Sequence, residues 1–178
     1  MKKNFIHHAR SGFTLIELLV VLGIIGILAG VIYASFGVAR QTARDDIRKS
    51  ELKELQLALE LYKAQNGVYP QGCNNSWSGS LNVTNGCPGL DYITGLVPDF
   101  IPALPWDPQT DTNSGYLYRT NAGGTMYKIL AWNSVESKMV TSYSDEFSRC
   151  PADINQTYCD ALPDADTYSV YSAGAENW

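Results

Sequence analysis

Residues 13–39 form an apolar run whose only ionisable members are Glu17 and Tyr33. No other feature limits the possible folds as much. At about 1.5 Å per residue the run makes roughly 40 Å of helix, more than the ~30 Å of hydrocarbon in a bilayer. Lys2, Lys3 and Arg10 precede it with no acid among them. That basic flank predicts a cytoplasmic N-terminus and an exported remainder. Glu17 is the anomaly, because a carboxylate in hydrocarbon is expensive.

A cleaved secretory signal is the plain alternative, with Gly37-Val38-Ala39 as a small-residue cleavage site. Three observations oppose it. The run is about twice the length of a usual signal core. A charge lies in its first turns. A small residue suited to cleavage, Gly12, stands before the run rather than after it.

Residues 11–17, SGFTLIE, follow the short basic leader MKKNFIHHARSG, with Gly12, Phe13 and Glu17 at the informative positions. This stretch resembles the N-terminal processing motif of type IV prepilins and pseudopilins. The resemblance implies that a prepilin peptidase cuts after Gly12 and methylates the new terminal amine of Phe13. It also makes Glu17 the assembly residue of a filament subunit. The chemistry is coherent. Glycine lets a peptidase approach the backbone closely. A cut before the run leaves the run on the mature chain. The new ammonium at Phe13 finds a partner in the Glu17 carboxylate, of its own chain or a neighbour's. Gly26-x-x-x-Gly30 suits close helix packing, and Gly23, Gly26 and Gly30 could equally allow local loosening.

Residues 40–66 contain no proline or glycine and continue the helix, giving a predicted span of Phe13–Asn66. Ile47, Leu52, Leu55, Ala58, Leu59 and Tyr62 share one arc, which Leu57 and Leu61 widen. The wider arc predicts a sheet on one side and neighbouring subunits on another. The more charged residues 40–51 are expected near the membrane surface. Asn66-Gly67, with Pro70 beyond, is a stop signal.

Beyond it, residues 71–90 are rich in Asn, Ser and Gly, and 96–108, LVPDFIPALPWDP, predict an irregular packed connection. Strands are expected at 115–120, 126–132 and 167–172, with Gly123-Gly124 turning the first hairpin. The expected fold class is α+β, a long N-terminal helix packed on a small antiparallel β-sheet. The expected organisation is a leader at 1–12, a transmembrane or filament-core helix at 13–39, an amphipathic helix at 40–66 and a β-rich head at 67–178. LYKAQNGVYP, the proline-rich connection and the final YSAGAENW also resemble the globular region of major pseudopilins and related pilins. That resemblance implies a type IV pilin-like fold.

Cys73, Cys87, Cys150 and Cys159 all follow the apolar run, at spacings too wide for a CxxC pair. In an exported chain they predict two disulfides. Three connectivities are possible, and the local pairs Cys73–Cys87 and Cys150–Cys159 are preferred. Major pseudopilins often bind calcium through an acidic C-terminal loop. Here the sequence ends at Trp178, so that loop is expected to be missing or rearranged. Asp160, Asp164 and Asp166 offer oxygen ligands without a clear spacing, and a solvated acidic loop is the preferred reading. No cofactor is expected.

The only histidines, His7 and His8, lie in the leader. A processed chain therefore lacks histidine-based nucleophilic triads and His-ligated zinc, and no phosphate-binding glycine loop is present. A net charge of −5 argues against nucleic acid as a main partner. The expectation is a structural, non-enzymatic subunit. The resemblance to prepilins and pseudopilins implies as partners its own copies, other pilins or pseudopilins, the prepilin peptidase and an inner-membrane assembly platform. The cysteine loops and the missing acidic tail favour a pilus subunit over a secretion pseudopilin. The competing reading is an exported carbohydrate-binding or hydrolytic domain on a membrane anchor.

Overall fold

The computed structural model describes residues 13–73, 76–79, 91–109, 114–150, 166–176 and 178. One helix, α1 (Leu15–Asn66), is followed by β1 (Ser78–Gly79), β2 (Gly115–Thr120), β3 (Tyr127–Trp132) and β4 (Tyr168–Tyr171). The strands form one antiparallel sheet in the order β1-β2-β3-β4. The chain divides into two units that meet between Ala39 and Arg40.

In the first unit, α1 runs unbroken through Gly23, Gly26 and Gly30. It starts two residues later than predicted, because Thr14 is its cap rather than part of its first turn. Among the described residues nothing lies within 4 Å of where a Cβ would stand on those glycines.

The second unit has a core. Leu52, Leu55, Ala58 and Leu59 are buried on one face of α1, at spacings of three and four. Tyr62 packs on Phe100 with ring centroids 5.1 Å apart. Ile47, expected on this face, is instead 47% exposed. Asp45 and Arg48 hold that stretch of the face, and the 3–4 spacing runs 45, 48, 52, 55, 59. Gly67 ends the helix with φ +80°, its N–H donating to the Lys63 carbonyl at 2.8 Å, as the Asn-Gly pair predicts.

Tyr116, Tyr118, Tyr127, Ile129, Ala131, Tyr168 and Val170 supply the sheet's contribution to this core. Each buried tyrosine must seat its hydroxyl. Tyr118 donates to the Pro70 carbonyl at 2.6 Å, and Tyr92 to the Pro105 carbonyl at 3.0 Å. Tyr168 donates to the Lys138 carbonyl at 2.6 Å. Tyr116 donates to Glu51 of α1, and Tyr69 to Glu60 at 2.8 Å. The abundance of tyrosine thus gives the core both apolar area and fixed hydrogen-bonded endpoints.

The opposite sheet face is covered as well. Leu117 and Leu130 form a smaller cluster with Trp77 and Trp132 against them, and Lys128 and Ser169 are fully buried. Strand β1 was not foreseen. Its Gly79 pairs with Leu117, and a Cβ there would lie 2.4 Å from the Tyr116 carbonyl oxygen. A two-residue strand in an Asn/Ser/Gly-rich loop has no periodicity to find. The β2–β3 hairpin turns where predicted. Asn121 Oδ1 accepts the N–H groups of Thr125 (2.7 Å) and Met126 (3.2 Å). The Gly124 carbonyl accepts the Tyr69 N–H at 2.7 Å, which seats the hairpin tip on residues 68–69.

Candidate functional site

Gly12 lies outside the described residues, which begin at Phe13. Phe13 is exposed. Thr14 and Glu17 then close a reciprocal cap. Glu17 Oε2 accepts the Thr14 N–H at 2.9 Å and its hydroxyl at 2.7 Å, and the Glu17 N–H donates to Thr14 Oγ1 at 3.3 Å. This is a capping box, in which side chains satisfy the free donors of a first helical turn. Glu17 also sits at the positive end of the helix dipole. The spacing Thr14-x-x-Glu17 was legible in the sequence, but the apolar context drew attention to charge rather than capping. Both bonds to the carboxylate fall on Oε2. Oε1 has no donor among the described residues and is open to a cation.

From Leu15 to Val38 every large apolar side chain is between 49% and 85% exposed. Among the described residues, α1 is the one helix long and apolar enough to cross a membrane. Among its described residues this unit has no core of its own. Ser35 returns its hydroxyl to the Val31 carbonyl at 3.2 Å, so its polar group is satisfied within the helix.

The second unit holds a buried ionic cluster near its start. Arg48 forks onto Asp107, Nε to Oδ2 at 2.9 Å and Nη2 to Oδ1 at 2.8 Å. Its Nη1 also donates to Asp45 Oδ1 at 2.8 Å and Glu136 Oε1 at 2.9 Å. Asp45 Oδ2 accepts the N–H groups of Ser137 (2.7 Å) and Lys138 (2.9 Å) and the Ser137 hydroxyl (3.0 Å). The Glu136 N–H reaches Oδ1 at 3.1 Å. Arg44 completes the group through Nε to Glu136 Oε1 at 2.7 Å. Burial pushes the Asp45 carboxyl up, but the backbone N–H groups and the Ser137 hydroxyl outweigh it and hold the group below its usual range. The Arg44 hydrogen bond does the same for Glu136, against burial and with help from Arg48. Residues 40–51 are therefore not simply a solvated charged stretch. Asp45 and Arg48 fasten the helix to the segment after β3 and to the end of the proline-rich connection.

Cys73 and Cys150 are disulfide-bonded. Cys87 and Cys159 fall outside the described residues, and the pairing with them. Asp160 and Asp164 fall outside as well. Asp166 is exposed, and its carbonyl accepts the N–H groups of Ser134 (2.8 Å) and Val135 (3.1 Å). Among the described residues no three His, Cys, Asp or Glu side chains gather to hold a metal.

Comparison with known proteins addresses the N-terminal segment directly. Residues 7–33 match the family described as the prokaryotic N-terminal methylation motif. Type II secretion system core protein G of Pseudomonas aeruginosa is 39% identical over 61 residues, covering 34% of this chain and 43% of that protein. The same-named protein of Klebsiella pneumoniae is 37% identical over 101 residues, 56% of this chain and 69% of its own length. The type IV wide pilus major component PilA4 of Thermus thermophilus is 41% identical over 59 residues, covering 33% of this chain and 45% of its own. The chain thus spans less than half the length of some of these relatives. No solved structure matches it significantly. The methylation motif, the long helix beneath a small antiparallel sheet and the extended match to core protein G together place the chain in the pilin and pseudopilin family.

Proposed function

We propose that this chain is a structural subunit of an extracytoplasmic filament, a type IV pilus or a pseudopilus. Prepilin peptidase cuts after Gly12 and N-methylates Phe13. Residues 13–39 then hold the subunit in the inner membrane, N-terminus on the cytoplasmic side, until it is polymerised. The subunit joins its own copies and other pilins or pseudopilins at an inner-membrane assembly platform. The amphipathic residues 40–66 and the head at 67–178 form the coat. The four cysteines act as two disulfides that close the head's polar loops. No catalytic step is assigned to the chain, and the names of its relatives describe secretion-system and pilus components.

One observation carries the reading. An unbroken apolar helix with no core of its own starts one cap residue after Phe13, and Glu17 is placed in its first turn. Such a surface is stable only in lipid or against other copies of itself. The free Oε1 of Glu17 supplies the acceptor that the new terminal amine needs. Mass spectrometry of the mature N-terminus tests the proposal. N-methylated Phe13 is expected, and a chain beginning at Met1 or Arg40 would overturn it. The relatives' printed names include both a secretion core protein and a pilus component, so the system served is decided by which assembly apparatus exports the subunit.

A further inference from the structure

On the outer face of the sheet, Lys128 of β3 is fully buried. Its ammonium donates to three main-chain oxygens: the carbonyls of Arg149 at 2.6 Å and Glu176 at 3.0 Å, and an oxygen of the last residue, Trp178, at 2.9 Å. The Tyr171 ring of β4 lies 4.9 Å away. An ammonium has three N–H donors, and here each has one acceptor. The cross-strand partner of Lys128 is Arg119. The Arg119 guanidinium stacks 4.9 Å from the Trp178 ring and 5.8 Å from the Trp77 ring. Two neighbouring cations therefore gather three separate stretches of chain. These are the segment of Cys73 through Trp77, the segment of Cys150 through Arg149, and the C-terminal segment through Glu176 and Trp178.

Three main-chain oxygens within 3.0 Å of one buried ammonium are a cation cage. Without a positive charge these electronegative oxygens would face one another around a fully buried side chain. We propose that these three main-chain oxygens form a cation-binding site, filled by the tethered ammonium of Lys128, and that this site latches the C-terminal segment and the Cys150 segment onto the sheet. Of the charged groups around it, Arg149 and Arg119 oppose the ammonium, and Glu176 and the carboxylate of the last residue, Trp178, favour it. Burial pushes the Lys128 ammonium down to about 7, Arg149 adds to that and Glu176 counters it. The latch explains why a lysine occupies a fully covered sheet position where an aliphatic residue would pack more cheaply.

The test is hydrogen exchange of the full chain in detergent micelles at about pH 6, where the ammonium is populated. Lys128→Met keeps the length of the side chain and removes the charge. Exchange at Ala175 and Trp178, whose N–H groups close turns onto Ser172 and Ala175, should rise about tenfold or more while β2–β3 amides stay protected. In Lys128→Ala, propylammonium should restore that protection and propanol should not. Unchanged C-terminal exchange in Lys128→Met overturns the proposal, as does equal rescue by the neutral alcohol. If Lys128→Met loses protection throughout, the comparison of the two additives on Lys128→Ala decides the matter in the same way.

Discussion

The two units solve opposite problems with the same helix. From Leu15 to Val38, α1 presents apolar side chains on all sides and a single carboxylate at its start. From Asp45 onward it presents one apolar face, and the first two positions of that face are ionic. In the first unit the polar groups are satisfied locally, by Thr14 with Glu17 and by Ser35 with Val31. In the second, Asp45 and Arg48 also reach groups 59 to 93 residues away in sequence. Local satisfaction leaves a surface whose partner must come from outside the chain. Long-range satisfaction makes a unit that specifies its own packing. A sequence can switch between these behaviours along one continuous helix simply by moving from apolar-all-round to a 3–4 stripe.

The sharpest way to break this contrast is to remove the one charge of the first unit. Glu17→Ala should still be processed, because the cut proposed after Gly12 would precede the helix. It should lose most filament assembly, because the terminal amine of an incoming subunit would then lack its partner. Filament yield by shearing, with the mature N-terminus measured alongside, checks both halves, and normal yield would sink the role given to Glu17. The head should be indifferent to this change and show an unaltered urea midpoint.

The second unit is broken most deeply at Arg48. Its guanidinium serves Asp45, Asp107 and Glu136 together, so Arg48→Met strands buried carboxylates. Removing one side of a buried pair costs about 3–5 kcal/mol, far more than the net worth of the pair itself. Urea unfolding of the full chain in micelles should show that loss. The same cluster sets the acid limit. Asp45 and Glu136 titrate below their ordinary values when folded. Their contribution is complete above the unfolded carboxyl range, about pH 4, and is lost as pH falls through the folded values. Stability should therefore drop on acidification below about pH 4. Asp45→Asn should flatten that drop; an equally steep acid transition in the variant would exclude Asp45 as its source.

Gly124→Ala comes next. The residue sits at φ +60°, and a Cβ would meet the Tyr69 carbonyl oxygen and Val68 Cβ, both at 2.9 Å. Left-handed strain plus a backbone clash predicts a loss of about 1–3 kcal/mol, read as a lower urea midpoint. Gly123→Ala is the internal comparison. It has φ outside the left-handed region and only ordinary contacts, the nearest at 3.7 Å to Thr125, so it should cost clearly less.

Most of this architecture was legible in the sequence. The apolar run, the helix stop at Asn66-Gly67, the positions of β2, β3 and β4 and the hairpin turn follow from periodicity and turn chemistry. Three features were not. Ile47 was assigned to the buried face because it is apolar, whereas Asp45 and Arg48 keep the spacing; their burial depends on Asp107 and Glu136, which no local pattern reveals. The covered outer sheet face was missed because Lys128 and Ser169 look like solvent positions. Strand β1 exists only through its partner. In each case the deciding interaction is distant in sequence, while every correct expectation rested on a local signal. The N-terminal methylation motif is the extreme local case, readable from seven residues.

The smallest expected effect separates ionic contacts that organise the head from those that merely decorate it. Lys53 on α1 meets Glu146 at 3.1 Å, but both side chains are more than half exposed. Lys53 also lies 5.2 Å from the Phe147 ring, so its stem and charge cover a buried aromatic. Water screens the ion pair, and two mobile side chains lose freedom in making it. Glu146→Gln should therefore shift the urea midpoint by less than about 0.5 kcal/mol. Lys53→Ala should cost slightly more, because it uncovers Phe147 as well as breaking the pair. If the two variants cost the same, the contact is purely electrostatic. If Glu146→Gln approached the loss seen for Arg48→Met, burial would no longer distinguish the two sets of charges, and the contrast drawn between organised and incidental ion pairs in this head would fail.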